Sequence, residues 1–153
     1  MNNRRSFIVG IKSTKLSLKE KNFLKKYKPW GIILFARNIN NLDQTSKLTL
    51  SIKKIFKDKN YPVLIDQEGG RVSRLKKLIS FENLTSEFFG SKYVKNYKEF
   101  KFYYKLYIEK TSYLLKLLGI NINTVPVLDL RIKGSSNIIG NRAFSNNPKI
   151  VSK

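Results

Sequence analysis

Short apolar runs alternate along the chain with longer amphipathic stretches. Phe7-Ile-Val-Gly-Ile11, Gly31-Ile-Ile-Leu-Phe-Ala36, Tyr61-Pro-Val-Leu-Ile-Asp66 and Thr124-Val-Pro-Val-Leu-Asp-Leu130 are uniformly apolar enough to predict four buried strands. Between them, Ser17-Leu-Lys-Glu20 has the form of a capping box and predicts a helix running to about Tyr27. Leu48, Ile52, Ile55 and Phe56 fall on one face of a second predicted helix, from about Asp43 to Lys57. A third, long helix is predicted from Tyr97 to Leu118, with Gly119 placed to end it in a left-handed cap. The stretch from Gln67 to about Val94 has no clear period, with Gly69, Gly70 and Gly90 as punctuation. The residues after Leu130 read as polar loop.

Strand-helix units with apolar strands predict an α/β fold: a parallel sheet flanked by helices. Two architectures fit, an open doubly wound sheet or a partial (β/α)₈ barrel of about four strands. A complete barrel takes roughly 250 residues, and this chain has 153. Four strands leave two open edges, which invites association with another chain.

Composition narrows the chemistry. The chain has no Cys and no His, which removes disulfides, thiolate chemistry and imidazole acid/base catalysis. No metal or other cofactor is expected. Lys and Arg number 31 against 10 Asp and Glu, for a formal charge of +21. Only seven of these cations are Arg, while Lys is joined by abundant Asn, the signature of drift toward A+T-rich codons. The lysines at 12, 15, 19, 21, 25, 26 and 28 are scattered as on a solvated surface. Nucleic acid is therefore not the expected partner. The alternative, a basic module for nucleic acid or an anionic polymer, predicts steep salt dependence and indifference to Asp66. No apolar run reaches the ~18 residues of a membrane helix. Phe7–Ile11 is too short for a signal-peptide core, so a cytoplasmic location is expected.

Acidic residues are scarce enough for their positions to inform. Asp66 and Asp129 close predicted apolar strands, Glu68 follows the first, and Arg37 follows the second strand. In both candidate architectures the C-terminal strand ends form the ligand site. A network of ion pairs among Asp66, Glu68, Arg37, Arg71, Arg74 and Asp129 would equally hold the rim loops. Either reading brings Asp66 and Asp129 close. Neither a phosphate loop nor a dinucleotide fingerprint is present. Arg142, in a polar loop, can fork onto vicinal hydroxyls or onto a carboxylate.

Four segments resemble, in order, the N-terminal half of glycoside hydrolase family 3, and within it the bacterial cytoplasmic β-N-acetylhexosaminidases. They are Gly31-Ile-Ile-Leu-Phe-Ala-Arg-Asn38, Ile65-Asp-Gln-Glu-Gly-Gly-Arg-Val-Ser-Arg74, Val125-Pro-Val-Leu-Asp129 and Ile139-Gly-Asn-Arg-Ala-Phe-Ser145. The resemblance implies a (β/α)₈-type barrel whose rim holds a terminal N-acetylglucosamine, and retaining hydrolysis of β-linked N-acetylhexosamine in muropeptide (peptidoglycan) recycling. It also implies that Asp66 accepts hydrogen bonds from sugar hydroxyls, that Arg74 and Arg142 donate to the sugar, and that Asp129 braces the rim. The family continues into a Lys-His-Phe-Pro-Gly-His-Gly segment, a His-Asp acid/base pair and an Asp nucleophile, none of which occurs here. Retention needs both a nucleophile and a proton donor. The expectation is thus residues 1–153 of a half-barrel with part of the sugar shell, inactive alone. It is a truncation, a remnant that binds without hydrolysing, or half of a split enzyme completed by a second chain.

Overall fold

The computed structural model describes residues 4–134 and 136–153. The elements run β1 (Arg5–Gly10), α1 (Leu18–Tyr27), β2 (Pro29–Leu34), α2 (Leu42–Phe56), β3 (Val63–Ile65), α3 (Ser86–Lys95), α4 (Tyr97–Leu117), β4 (Ile122–Asn123) and α5 (Pro148–Val151). Short 3₁₀ turns occupy Ala36–Asn38 and Gly140–Arg142. The four strands are parallel and lie in sequence order, each beside the next. A doubly wound sheet reverses its strand order at a switch point. Here the order never reverses, so the sheet is singly wound, the arrangement of a barrel wall. The fold is α/β with four parallel strands and flanking helices, as the apolar runs predict.

Alternation along the strands sends one set of side chains to the helices. Ile32 and Leu34 of β2 with Val63 and Ile65 of β3 pack against Leu24 of α1, Leu48 and Ile52 of α2, and Leu115 of α4. Leu64, on the other face of β3, is also buried. Tyr61 is fully buried, stacked on Phe56 at 3.9 Å, and its hydroxyl donates to the Pro29 carbonyl at 2.7 Å.

Several helix ends follow their local chemistry. The Ser17 hydroxyl accepts from the Glu20 amide at 3.2 Å, while Glu20 accepts from the Ser17 amide at 2.8 Å and the Lys12 amide at 2.9 Å. Partial burial pushes the Glu20 carboxyl up, yet these donors outweigh it and hold the group below its ordinary value of 4.5. A depressed folded value means that the contribution is complete above about pH 5 and fades as acid titrates the folded carboxylate. Ser17→Ala is expected to cost about 1 kcal/mol in a urea melt at pH 7. Its cost should shrink as acid takes the pH down through the lowered value of the folded Glu20 carboxyl, where the box loses its carboxylate acceptor. At the end of α4, Gly119 has φ +72, its amide donates to the Lys116 carbonyl and the Ile120 amide donates to the Leu115 carbonyl. That pair of bonds is a Schellman motif, and its glycine avoids the penalty a Cβ carries there.

Four expectations need correction, the first being that the residues after Leu130, read as polar loop, carry the Gly140–Arg142 turn and α5, whose cap Asn147 accepts from the Lys149 amide. β2 begins at Pro29, which only opens the strand, so its missing N–H removes no central rung. The fourth strand is Ile122–Asn123, upstream of the apolar Thr124–Leu130 run. Pairing with β3 ends at the Thr124 amide, which donates to the Ile65 carbonyl at 3.0 Å. Beyond it Pro126 has no N–H to give, and Leu128 and Asp129 are exposed in irregular chain. The side chains of Asn121 and Asn123 extend the pairing instead, accepting from the Val63 and Gln67 amides at 2.8 and 2.9 Å. Finally, the segment read as irregular contains α3, capped by the Thr85 hydroxyl accepting from the Phe88 amide. Gly90 sits inside this helix rather than in a turn. The seven lysines between positions 12 and 28 are exposed.

Candidate functional site

Where β3 ends, its chain turns into a tight loop over residues 66–75 that its own side chains hold in shape. Gln67 is buried; its Oε1 accepts from the Arg74 amide at 2.8 Å and the Leu75 amide at 3.1 Å, and its Nε2 meets Ser73 Oγ at 3.2 Å. Asn123 accepts from the Gln67 amide and donates to the Gln67 carbonyl, tying the loop to β4. Gly69 and Gly70 both have positive φ, +91 and +53, which places the turn where side chains are disfavoured. A Cβ on Gly69 would stand 2.2 Å from the Leu84 carbonyl oxygen.

This loop aims Asp66 and Arg74 at each other. Arg74 Nη2 lies 3.5 Å from Asp66 Oδ2, a long contact for an ion pair, and both side chains are about a quarter exposed. Asp66 Oδ1 accepts from the Thr124 hydroxyl at 2.5 Å. The carboxylate keeps free lone pairs, and the guanidinium keeps most of its five N–H groups, Nε among them, unspent. Phe35, at the end of β2, lies beneath both Arg74 and Arg37, whose guanidinium carbons are 5.6 and 4.5 Å from its ring centre.

The rim closes from the far side with Arg142. Its Nε and Nη2 donate to the two oxygens of Glu68, each at 2.8 Å, and its Nη1 donates to the Ile138 carbonyl at 3.3 Å. Three of five N–H groups are thereby used, leaving one on each terminal nitrogen. The hydrogen-bonded Glu68 carboxylate raises the Arg142 guanidinium above its ordinary value despite partial burial, and Asp129 and Asp66 add to the same negative field. The Tyr107 hydroxyl donates to the Glu68 carbonyl at 3.0 Å. Burial pushes that phenol up, so it remains a donor through the neutral range.

Asp66, Arg74 and Arg142 thus gather at the C-terminal ends of the strands. Arg142 takes the fork geometry its guanidinium allows, on Glu68. The predicted ion-pair network divides: Arg74 pairs with Asp66, but Glu68 takes Arg142, and Arg71 donates to backbone carbonyls. Arg37 also serves the backbone, with Nε donating to the Ile11 carbonyl at 3.0 Å. Beside it buried Asn38 donates to the Ile11 and Ser13 carbonyls. That motif braces the loop after β1. Asp129 makes no ion pair within 4.0 Å among the described residues. Glu68 and Gln67 are the rim residues whose roles composition could not assign. The sequence signals for Glu68 were a carboxylate two positions beyond Asp66 and its place within the family-like 65–74 segment, neither of which names Arg142 as its partner. A cavity of about 240 Å³ adjoins the rim, lined by Gln67 and Glu68 together with Phe89, Tyr104, Tyr107 and Pro126. No group of acidic residues suited to holding a metal ion occurs among the described residues, and no helix among them is long and apolar enough to cross a membrane.

Known proteins resemble this chain in sequence and in fold. The chain is 31% identical over 145 residues to a β-hexosaminidase of Thioalkalivibrio sulfidiphilus, covering 94% of this chain and 41% of that protein. It is 32% identical over 148 residues to a β-hexosaminidase of Xanthomonas oryzae pv. oryzae, covering 94% and 42%. The chain therefore spans about two fifths of the length of these relatives. The crystal structure of native NagZ from Neisseria gonorrhoeae superposes with a TM-score of 0.84 at 29% identity, over 97% of this chain and 43% of that one. The complex of the same protein with N-trifluoroacetyl-D-glucosamine superposes with a TM-score of 0.76 at 28% identity, over 97% and 44%. The sequence profile described as the glycosyl hydrolase family 3 N terminal domain matches residues 7–153, and the chain belongs to that family.

Proposed function

We propose that this chain forms part of the sugar-binding rim of a cytoplasmic retaining β-N-acetylhexosaminidase that acts on terminal β-linked N-acetylglucosamine during peptidoglycan recycling. The observation that carries the reading is the unspent hydrogen-bonding capacity of Asp66 and Arg74, held 3.5 Å apart at the strand ends. A loosely closed carboxylate-guanidinium pair offers acceptors and donors to vicinal hydroxyls, and a sugar lacking those hydroxyls leaves the groups unpaired. Arg142 adds two N–H groups from the opposite side. The relative that superposes on this chain with N-trifluoroacetyl-D-glucosamine bound supports the sugar class.

Hydrolysis with retention requires a carboxylate nucleophile and a proton donor for the leaving oxygen. The segments that carry the family's His-Asp acid/base pair and its Asp nucleophile do not occur in these residues, and no histidine is present. These 153 residues therefore bind the sugar without cleaving it, and the reaction needs the remainder of a barrel, supplied by the same polypeptide or by a second one.

Titration with N-acetyl-D-glucosamine, followed by NMR shifts of the 66–75 amides, tests the binding half of this reading. Removing a charged hydrogen-bonding partner costs roughly 1.5–3 kcal/mol, or about 10–100-fold in affinity. Asp66→Ala and Arg74→Ala are each expected to weaken binding by that factor. Unchanged affinity in both variants rejects the site. Release of nitrophenol from a nitrophenyl N-acetylglucosaminide by the purified chain would reject the proposed inactivity.

A further inference from the structure

We propose that Arg71 is a positioning residue for Arg142, fastening the 137–142 turn so that the two free N–H groups of Arg142 point into the rim. A single nitrogen makes the attachment. Arg71 Nη2 lies 2.7 Å from the Asn137 carbonyl oxygen and 3.0 Å from that of Ile139, and it also donates to the Ile138 carbonyl between them. Three successive carbonyls converging on one point form a small cation site built from backbone dipoles. The Ile138 oxygen is shared, since Arg142 Nη1 donates to it as well. The two guanidiniums are thereby joined through one backbone atom.

The next residue makes room for this contact. Gly140 has φ +45, and a Cβ there would lie 3.3 Å from Arg71 Nη2. The Arg142 amide then donates to the Ile139 carbonyl and the Ala143 amide to that of Gly140, closing the turn. Arg71 and Glu68 are presented together by one small hairpin, in which the Glu68 amide donates to Val72 and the Val72 amide to Gly69. One hairpin thus grips the Arg142 turn at two points, at its backbone through Arg71 and at its side chain through Glu68. Glu68 holds the head group of Arg142, and buried Ala143 with Phe144 holds the chain that follows it, which leaves the 137–139 side of the turn to Arg71.

The proposal rests on the reading that Arg142 donates to the sugar, but its geometric half can be measured without any ligand. Because one nitrogen serves three carbonyls, a point charge with three donors can replace it, and Arg71→Lys should restore what Arg71→Ala removes. In ¹⁵N-labelled chain, the Arg142 Nε–H signal reports the Glu68 fork directly. Arg71→Ala is expected to speed solvent exchange of that proton at least tenfold and to weaken N-acetyl-D-glucosamine binding by about tenfold. The protection of the Ile65 amide in β3 should not change. Arg71→Lys should recover most of both effects. An Arg71→Ala chain with unaltered Nε–H exchange overturns the proposal, as does an Arg71→Lys chain as impaired as the alanine variant. If the unmodified chain binds no sugar, the functional reading fails while the exchange rate still decides the role of Arg71.

Discussion

Glu68→Ala is expected to lower the melting temperature of the chain by about 9 °C and to abolish sugar binding. The Glu68 carboxylate is only 7% exposed and Arg142 24%, so the pair sits largely out of water. Removing one member of such a pair strands the other charge, at a cost of about 3 kcal/mol. For a domain of this size each kcal/mol shifts the melting temperature by roughly 3 °C. The freed guanidinium then has two routes, and both leave the rim. It can turn outward to water, or it can collapse onto Asp66, whose negative field it already feels. Either motion removes donors from the sugar. Circular dichroism melts of three chains separate this account from simple loss of packing. If stranded charge is the cause, Glu68→Ala combined with Arg142→Ala should melt several degrees above Glu68→Ala alone. A double variant no more stable than the single one would show that packing dominates and would sink the argument.

Gly90→Ala should destabilise the chain by about 2 kcal/mol, a shift of about 6 °C, and should displace Arg142 without touching it. Alanine is the better helix former by about 1 kcal/mol, and Gly90 lies inside α3, so an isolated helix would gain from the change. The structure reverses the sign. A Cβ at Gly90 would come to 1.8 Å from the Phe144 carbonyl oxygen, an overlap with backbone that no rotamer change relieves. Ala143, which is buried, and Phe144, which meets Tyr104 edge to ring at 6.0 Å, anchor the loop that carries Arg142. Pushing Phe144 off α3 therefore drags the whole 137–145 segment. The expected result is a lower melting temperature together with weakened N-acetyl-D-glucosamine binding. A melting temperature equal to or above that of the unmodified chain would show that the loop yields at no cost.

These two residues also mark where sequence reading runs out. Gly90 reads as a breaker because glycine weakens helices in isolation; its reason for being there lies on another segment, more than fifty positions away. Arg142 reads as a forked guanidinium with several acceptors in prospect, and only the folded chain selects Glu68. The 124–130 run reads as a strand because it is apolar, yet a ladder needs N–H groups as well as apolar side chains. Pro126 supplies none, so the pairing moved upstream to Ile122 and Asn123. By contrast, the capping box at Ser17 and Glu20 and the Gly119 cap were legible because each is closed by bonds spanning a few residues. The Asp66–Arg74 loop was half legible. Its residue types advertised a polar rim, while the part played by buried Gln67 in bending the loop was invisible until its three partners were seen.

By itself the amino-acid order settled α1, α2 and α4 with their apolar faces, three of the four strands and the absence of imidazole and thiol chemistry. Periodicity, local hydrogen bonding and composition need no knowledge of distant neighbours. Tertiary structure decided the rest: that the sheet winds in one direction, that β4 is short, that Gly90 belongs to a helix, and that Glu68 and Arg71 hold the turn bearing Arg142. Each of those depends on atoms brought together from far along the chain. There a buried charge or a crowded carbonyl has a cost of several kcal/mol only once its neighbours are in place.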